Sequence, residues 1–199
     1  DLVLLDLTEN SNLSLVKNYL GNAYMPEWNY NGIGDMMPGE GYQIKLNESD
    51  TLFYLANNIQ YRMSNLPIVD TETSWCITPI RTDNNMTVVI PDHAWDYLPS
   101  KGAEITAYDG LGQIVGCAKY STPVTVITLW GNDVMTSNKD GMYISEHTSF
   151  KVLDNSKSKN LIIQNWSEGS EFYEVNAINI ASSVSVQSEG EQSDNLNNK

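Results

Sequence analysis

The chain has 199 residues, 41% of them hydrophobic, and carries 11 Lys and Arg against 25 Asp and Glu for a formal net charge of −14. The apolar content suffices for one or two cores, while the acidity argues against nucleic acid or an anionic membrane as partner, since both require basic patches. No apolar run reaches the roughly 18 residues of a membrane-spanning helix.

The opening stretch, Asp1-Leu-Val-Leu-Leu-Asp6, lacks Met, a basic leader and a cleavage site, and reads as a processed or excised piece. Apolar runs at 2–5 and 13–17 flank a polar turn at 6–12. Gly21 and Asn22 supply the next turn, because both accept positive φ at low cost. A strand at 23–25 ends at Pro26, which has no N–H for a ladder bond. Five Gly and Pro residues between Gly32 and Gly41 then make a constrained loop. Residues 42–46 alternate apolar and polar, as a half-buried strand does, and 51–55 continue as another. The segment 64–74 reads as a connector.

The second module has candidate strands at 75–80, 86–90, 104–108, 113–120, 124–130, 149–153, 161–166 and 172–180. Strands at intervals near ten residues predict a sandwich. Asp109-Gly110 has the preferred chemistry of a hairpin turn. Only 91–98 invites a helix, of about two turns. The expected architecture is therefore all-β: a small β module over 1–65, an Ig-like antiparallel β-sandwich over 66–186, and a polar acidic tail over 187–199. The tail cannot bury enough surface to offset its ordering entropy.

Tests for chemistry return little. The Gly-rich loop at 32–39 lacks the helix start that a dinucleotide fingerprint needs behind its glycines, because Pro38 and Gly39 stand there. His93, His147, Cys76 and Cys117 have no short zinc-ligand spacing. No nucleophile or phosphate-loop motif occurs, so the chain is read as not an enzyme and as having no cofactor apart from calcium. For calcium, the segment 131–146 gathers oxygen ligands, with Asp133, Asn138, Asp140 and Glu146 as candidates; the alternative is a long turn using Asn, Asp and Gly for backbone reasons. Cys76 and Cys117 are candidates for a disulfide between strands, or else two buried thiols acting as small apolar side chains. Trp28, Tyr30 and Trp95 fall in loops and are the candidate contact surface for a partner or a glycan.

The wording Asn22-Ala-Tyr-Met-Pro-Glu-Trp28-Asn-Tyr-Asn-Gly-Ile-Gly-Asp35, then Pro38-Gly-Glu-Gly-Tyr-Gln-Ile-Lys45, resembles a module of large secreted and cell-surface proteins of Bacteroidota exported by the type IX secretion system. Gly102-Ala-Glu-Ile-Thr-Ala-Tyr-Asp109, Ile127-Thr-Leu-Trp-Gly-Asn-Asp133 and Lys139-Asp-Gly141 are similar to the companion β-sandwich region. The resemblance spans most of 20–155 and implies an extracellular or cell-surface location. It implies no catalytic activity. Such modules open with a Trp-containing strand that this chain lacks, and a missing strand leaves an edge that recruits strands from other chains. Asp50-Thr51-Leu52 resembles the Bacteroidota O-glycosylation signal, which makes Thr51 a candidate acceptor. The expectation is an adhesion or assembly module, in one form a filament subunit, pairing with other protein chains or copies of itself through β edges. The alternative is a carbohydrate-binding accessory module.

Overall fold

In the computed structural model, residues 2–54 and 79–188 are described. Strands dominate them; helix is limited to one short α-helix and three 3-10 turns among the described residues. The chain divides into two units, Asp1–Thr71 and Glu72–Lys199.

The first unit opens differently from the expected polar turn. A 3-10 turn at Leu2–Leu4 runs into α1 (Leu5–Glu9). The reason lies in spacing: Leu4 and Leu7, three apart, lie on one helical face and are buried against Leu13 and Val16. Four strands follow, β1 (Leu13–Asn18), β2 (Ala23–Met25), β3 (Tyr30–Asn31) and β4 (Tyr42–Leu46), in the antiparallel order β3-β2-β1-β4. In the β1–β2 turn Gly21 has φ +79°, and the Asn18 side-chain oxygen accepts from the N–H groups of Leu20 and Asn22. The Gly-rich loop closes on itself. Asn31 Oδ1 accepts from Ile33 and Gly34 N–H, and the Tyr42 hydroxyl accepts from Met37 N–H while donating to Glu40. Residues 51–54 have no regular structure, and the rest of the strand expected there lies outside the described residues.

The described residues of the second unit form seven strands: β5 (Asn85–Pro91), β6 (Glu104–Tyr108), β7 (Ile114–Lys119), β8 (Val124–Trp130), β9 (Ser149–Asp154), β10 (Lys157–Glu168) and β11 (Ile178–Ser188). They form one sheet in the order β7-β6-β9-β10-β11-β5-β8. This differs from the expected Ig-like pair of facing sheets. β5 and β11, the first and last of these strands, pair in parallel, and the outermost strands β7 and β8 come back against each other. A Cβ added to Gly116 on β7 would lie 2.4 Å from the Thr128 carbonyl oxygen on β8. The sheet is thus a nearly closed barrel, whose interior is filled by residues such as Val88, Ile105, Ile127, Leu129, Val152 and Leu161.

Three further expectations shift. The helix expected at 91–98 is one 3-10 turn, Asp92–Ala94, because Trp95 is extended and bridges to Val184. The strand expected at 172–180 begins only at Ile178. Before it, Tyr173 is pinned inside the barrel: its N–H donates to the Glu146 carbonyl and its hydroxyl to Asn84 Oδ1 at 2.7 Å. The tail expected from 187 yields Gln187 and Ser188 to β11, which pairs with β10 through Ser188; residues 189–199 lie outside the described residues. Of the strand expected at 75–80, only Pro79 and Ile80 are described, without regular structure.

Candidate functional site

The best-organised cluster of charge is built by two loops of the barrel. The β6–β7 hairpin turns at Asp109-Gly110-Leu111-Gly112, where Gly112 has φ +79° and Asp109 Oδ1 accepts from Leu111 N–H at 2.9 Å and Gln113 N–H at 2.7 Å. This is the turn chemistry expected of Asp, whose side chain satisfies its own turn's N–H groups. The other carboxylate oxygen, Oδ2, is left for a partner.

That partner arrives from the loop after β8. Asn132 Oδ1 accepts from Asp140 N–H at 3.0 Å, and Asp140 accepts from Asp133 N–H and from the Thr136 hydroxyl, both at 2.9 Å. Gly141 permits a close approach, since a Cβ there would lie 2.2 Å from the Gly131 carbonyl oxygen. The loop so folded directs Lys139 Nζ onto Asp109 Oδ2 and, at 2.7 Å, onto Glu146 Oε1. Glu146 is itself held by Gly110 N–H at 3.1 Å and Tyr143 N–H at 2.8 Å. The Tyr143 ring lies 5.1 Å from Nζ. Side-chain exposure is 0% for Asp109, 10% for Lys139 and 17% for Glu146.

Burial alone would raise the carboxyl of Asp109. The hydrogen bond from Lys139 and those from Gln113 and Leu111 outweigh it and hold the group below its usual range. Glu146 is likewise lowered against burial, by Lys139, Tyr143 and Gly110. Burial would lower Lys139, but the two carboxylates raise it. Around this clamp the loops present apolar side chains to solvent: Leu111 is 75% exposed, Ile144 70%, Val134 87% and Met135 88%.

The four calcium candidates all take part in the hydrogen bonds of these loops. Asp133 and Asp140 bond within the loop, Asn138 offers its backbone carbonyl to Thr136, and Glu146 faces the Lys139 ammonium. Among the described residues no group of three or more His, Cys, Asp or Glu is placed to hold a metal ion. Two of the three contact aromatics are corrected. Tyr30 is 3% exposed, facing the interior of its unit, and burial pushes its hydroxyl up to about 12. Trp95 is buried in the barrel core edge-on to Tyr120, with ring centroids 5.9 Å apart. Both are covered because a loop aromatic beside a core gains more by burial than by exposure. Trp28 is half-buried at the end of the 3-10 turn Pro26–Trp28. Thr51 is exposed, its N–H donating to Asp50 Oδ1. Cys117 on β7 is disulfide-bonded; the other cysteine of the sequence, Cys76, lies outside the described residues.

A second feature is a groove of about 290 Å³ beside β9 and β11, lined by Asp96, Tyr97, Val152, Asp154, Lys159 and Val184, with Ser185 and Val186. Tyr97 is 79% exposed at its rim, while Asp154 Oδ1 and Ser185 Oγ are buried without a hydrogen-bond partner. The sequence marks Asp109 only as a hairpin-turn residue and marks neither Lys139 nor Tyr97 as a site residue. A signal existed for Lys139, the single Lys or Arg between Lys119 and Lys151, set in a stretch of Asp and Asn. Comparison with protein-family models, with curated proteins and with solved structures returns no match.

Proposed function

We propose that this chain is a non-enzymatic extracellular structural module that assembles with further copies of itself at a bacterial cell surface. The observation that carries the reading is the rigid presentation of Leu111, Val134, Met135 and Ile144 on loops tied together by the Asp109–Lys139–Glu146 clamp. Large apolar side chains gathered on loop tips mark interaction surfaces, and loops already ordered lose little entropy on binding. Among the described residues β4 is an edge strand of the first unit's sheet, a second place for pairing. Within the barrel, β7 and β8 face each other, so pairing through its sheet edges has little support. The origin suggested by the Bacteroidota-like wording fits this role.

Two copies carrying −14 each repel at low ionic strength, and salt screens that repulsion. Sedimentation velocity over a concentration series at low and high salt is therefore expected to show association that strengthens with salt and disappears in Leu111→Asp/Ile144→Asp. A wild-type chain that stays monomeric at every concentration and salt level overturns the reading.

The second reading, a carbohydrate-binding module, is favoured by the Tyr97 groove. An exposed ring offers a stacking face to a sugar, and Asp96, Asp154, Lys159 and Ser185 offer groups for its hydroxyls. Glycan-array binding that is lost in Tyr97→Ala supports it, and an array on which wild type and variant are equally blank removes it.

A further inference from the structure

We propose that Lys139 and Asp109 become joined by an intramolecular amide bond, with Glu146 as the proton carrier. Three features meet at one point. The Lys139 amine lies against the Asp109 carboxyl, and both are withdrawn from water. Asp109 Oδ1 receives two backbone N–H groups, from Leu111 at 2.9 Å and Gln113 at 2.7 Å, which is the arrangement that stabilises charge on the oxygen of a tetrahedral acyl intermediate. Glu146 Oε1, 2.7 Å from Nζ and anchored by the Gly110 N–H, is placed to take a proton from the amine.

The balance closes without any co-reactant. Glu146 relays a proton from the Lys139 ammonium to Oδ2 of Asp109, and the neutral amine attacks Cγ of the neutral acid to form the C–N bond. The developing negative charge rests on Oδ1, under the N–H groups of Leu111 and Gln113. Glu146 then accepts a second proton from the nitrogen and delivers that to Oδ2 too. The bond from Cγ to Oδ2 breaks, and Oδ2 departs as water. Of the three ammonium protons, two leave in the water and one remains on the amide. In bulk water this condensation runs uphill. Here both reactants are held together by the fold, which corresponds to effective concentrations of about 10⁵ M or more in well-oriented systems, and the Asp109 side chain is fully buried. The product would be a covalent bond between the β6–β7 hairpin and the loop after β8, joining residues 30 apart in sequence.

The proposal stands apart from the assembly reading, and either can fail alone. The test is the intact mass of the full chain, unfolded and reduced. The expected result is a mass one water below that of the sequence, with a tryptic digest yielding a branched peptide in which the Asp109 segment is joined to the Lys139 segment. Lys139→Arg and Glu146→Gln are each expected to restore the full mass. The Asp109-Gly110 pair can also lose a water by closing to a cyclic imide, but an imide survives Lys139→Arg, yields to hydroxylamine and gives no branched peptide. A wild-type chain at full mass after prolonged incubation, or a water loss without the branched peptide, overturns the proposal whatever the variants do.

Discussion

The barrel closes where Gly116, which has no side chain, meets the backbone of β8. Gly116 pairs with Ala107 of β6 on one side and approaches the backbone of Thr128 of β8 on the other, where an added Cβ would stand 2.4 Å from the carbonyl oxygen. In Gly116→Ala, β7 must retreat from β8 by about 1 Å to regain the 3.4 Å of ordinary contact. Overpacking of this kind costs about 1–3 kcal/mol, and the upper end applies because backbone on both strands resists the movement. For a unit of this size about 3 kcal/mol lowers the unfolding temperature by roughly 12 °C. The matched control is Gly102→Ala, which meets no atom within 4 Å but has φ +91°, so it suffers backbone strain of about 1 kcal/mol alone. Differential scanning calorimetry of the two variants separates steric closure from strain. If Gly116→Ala unfolds no lower than Gly102→Ala, β7 and β8 are not in backbone contact and the barrel is open.

In the first unit, burial lowers Lys17 from 10.5 to about 8 and raises Tyr30 from 10.0 to about 12. Between pH 8 and 10.5 the unfolded chain holds a Lys17 proton that the folded chain has released, so stability rises with pH. Between pH 10 and 12 the folded chain keeps the Tyr30 proton that the unfolded chain loses, so stability falls. Urea unfolding across this range, followed by the methyl signals of Val16 and Ala23, should show a maximum near pH 10, and Tyr30→Phe should remove the alkaline fall; a flat profile contradicts the burial of both groups. In the second unit, reduction of the Cys117 disulfide should cost about 2–4 kcal/mol, the usual range for such a bond. Its sign is checked by calorimetry with and without reductant, and no change would mean the bond leaves the unfolded ensemble unconstrained. Tyr173→Phe strands the Asn84 side-chain oxygen and should destabilise by about 1–2 kcal/mol, whereas a neutral result in urea titration would show that Asn84 finds another donor.

Local pattern determined much of this protein directly. The alternation of 42–46, the candidate run 104–108 and the apolar run 124–130 are strands β4, β6 and β8 at the expected bounds, because strand-favouring runs bounded by turn residues are set between near neighbours. Asp109-Gly110 marks its hairpin for the same reason. Residues 2–9 show where locality misleads, since an apolar stretch of that length is compatible with helix or strand until its partners are known. What only the tertiary structure decided involves partners distant along the chain. The parallel pairing of β5 with β11, the approach of Gly116 to Thr128 and the burial of Tyr30 and Trp95 each depend on which surface arrives opposite. Lys139 is one lysine among many acids until the hairpin places Asp109 beside it. Hydrogen-bond ladders and shielding from water are made across space, and the residues that complete them leave no periodic mark in the sequence.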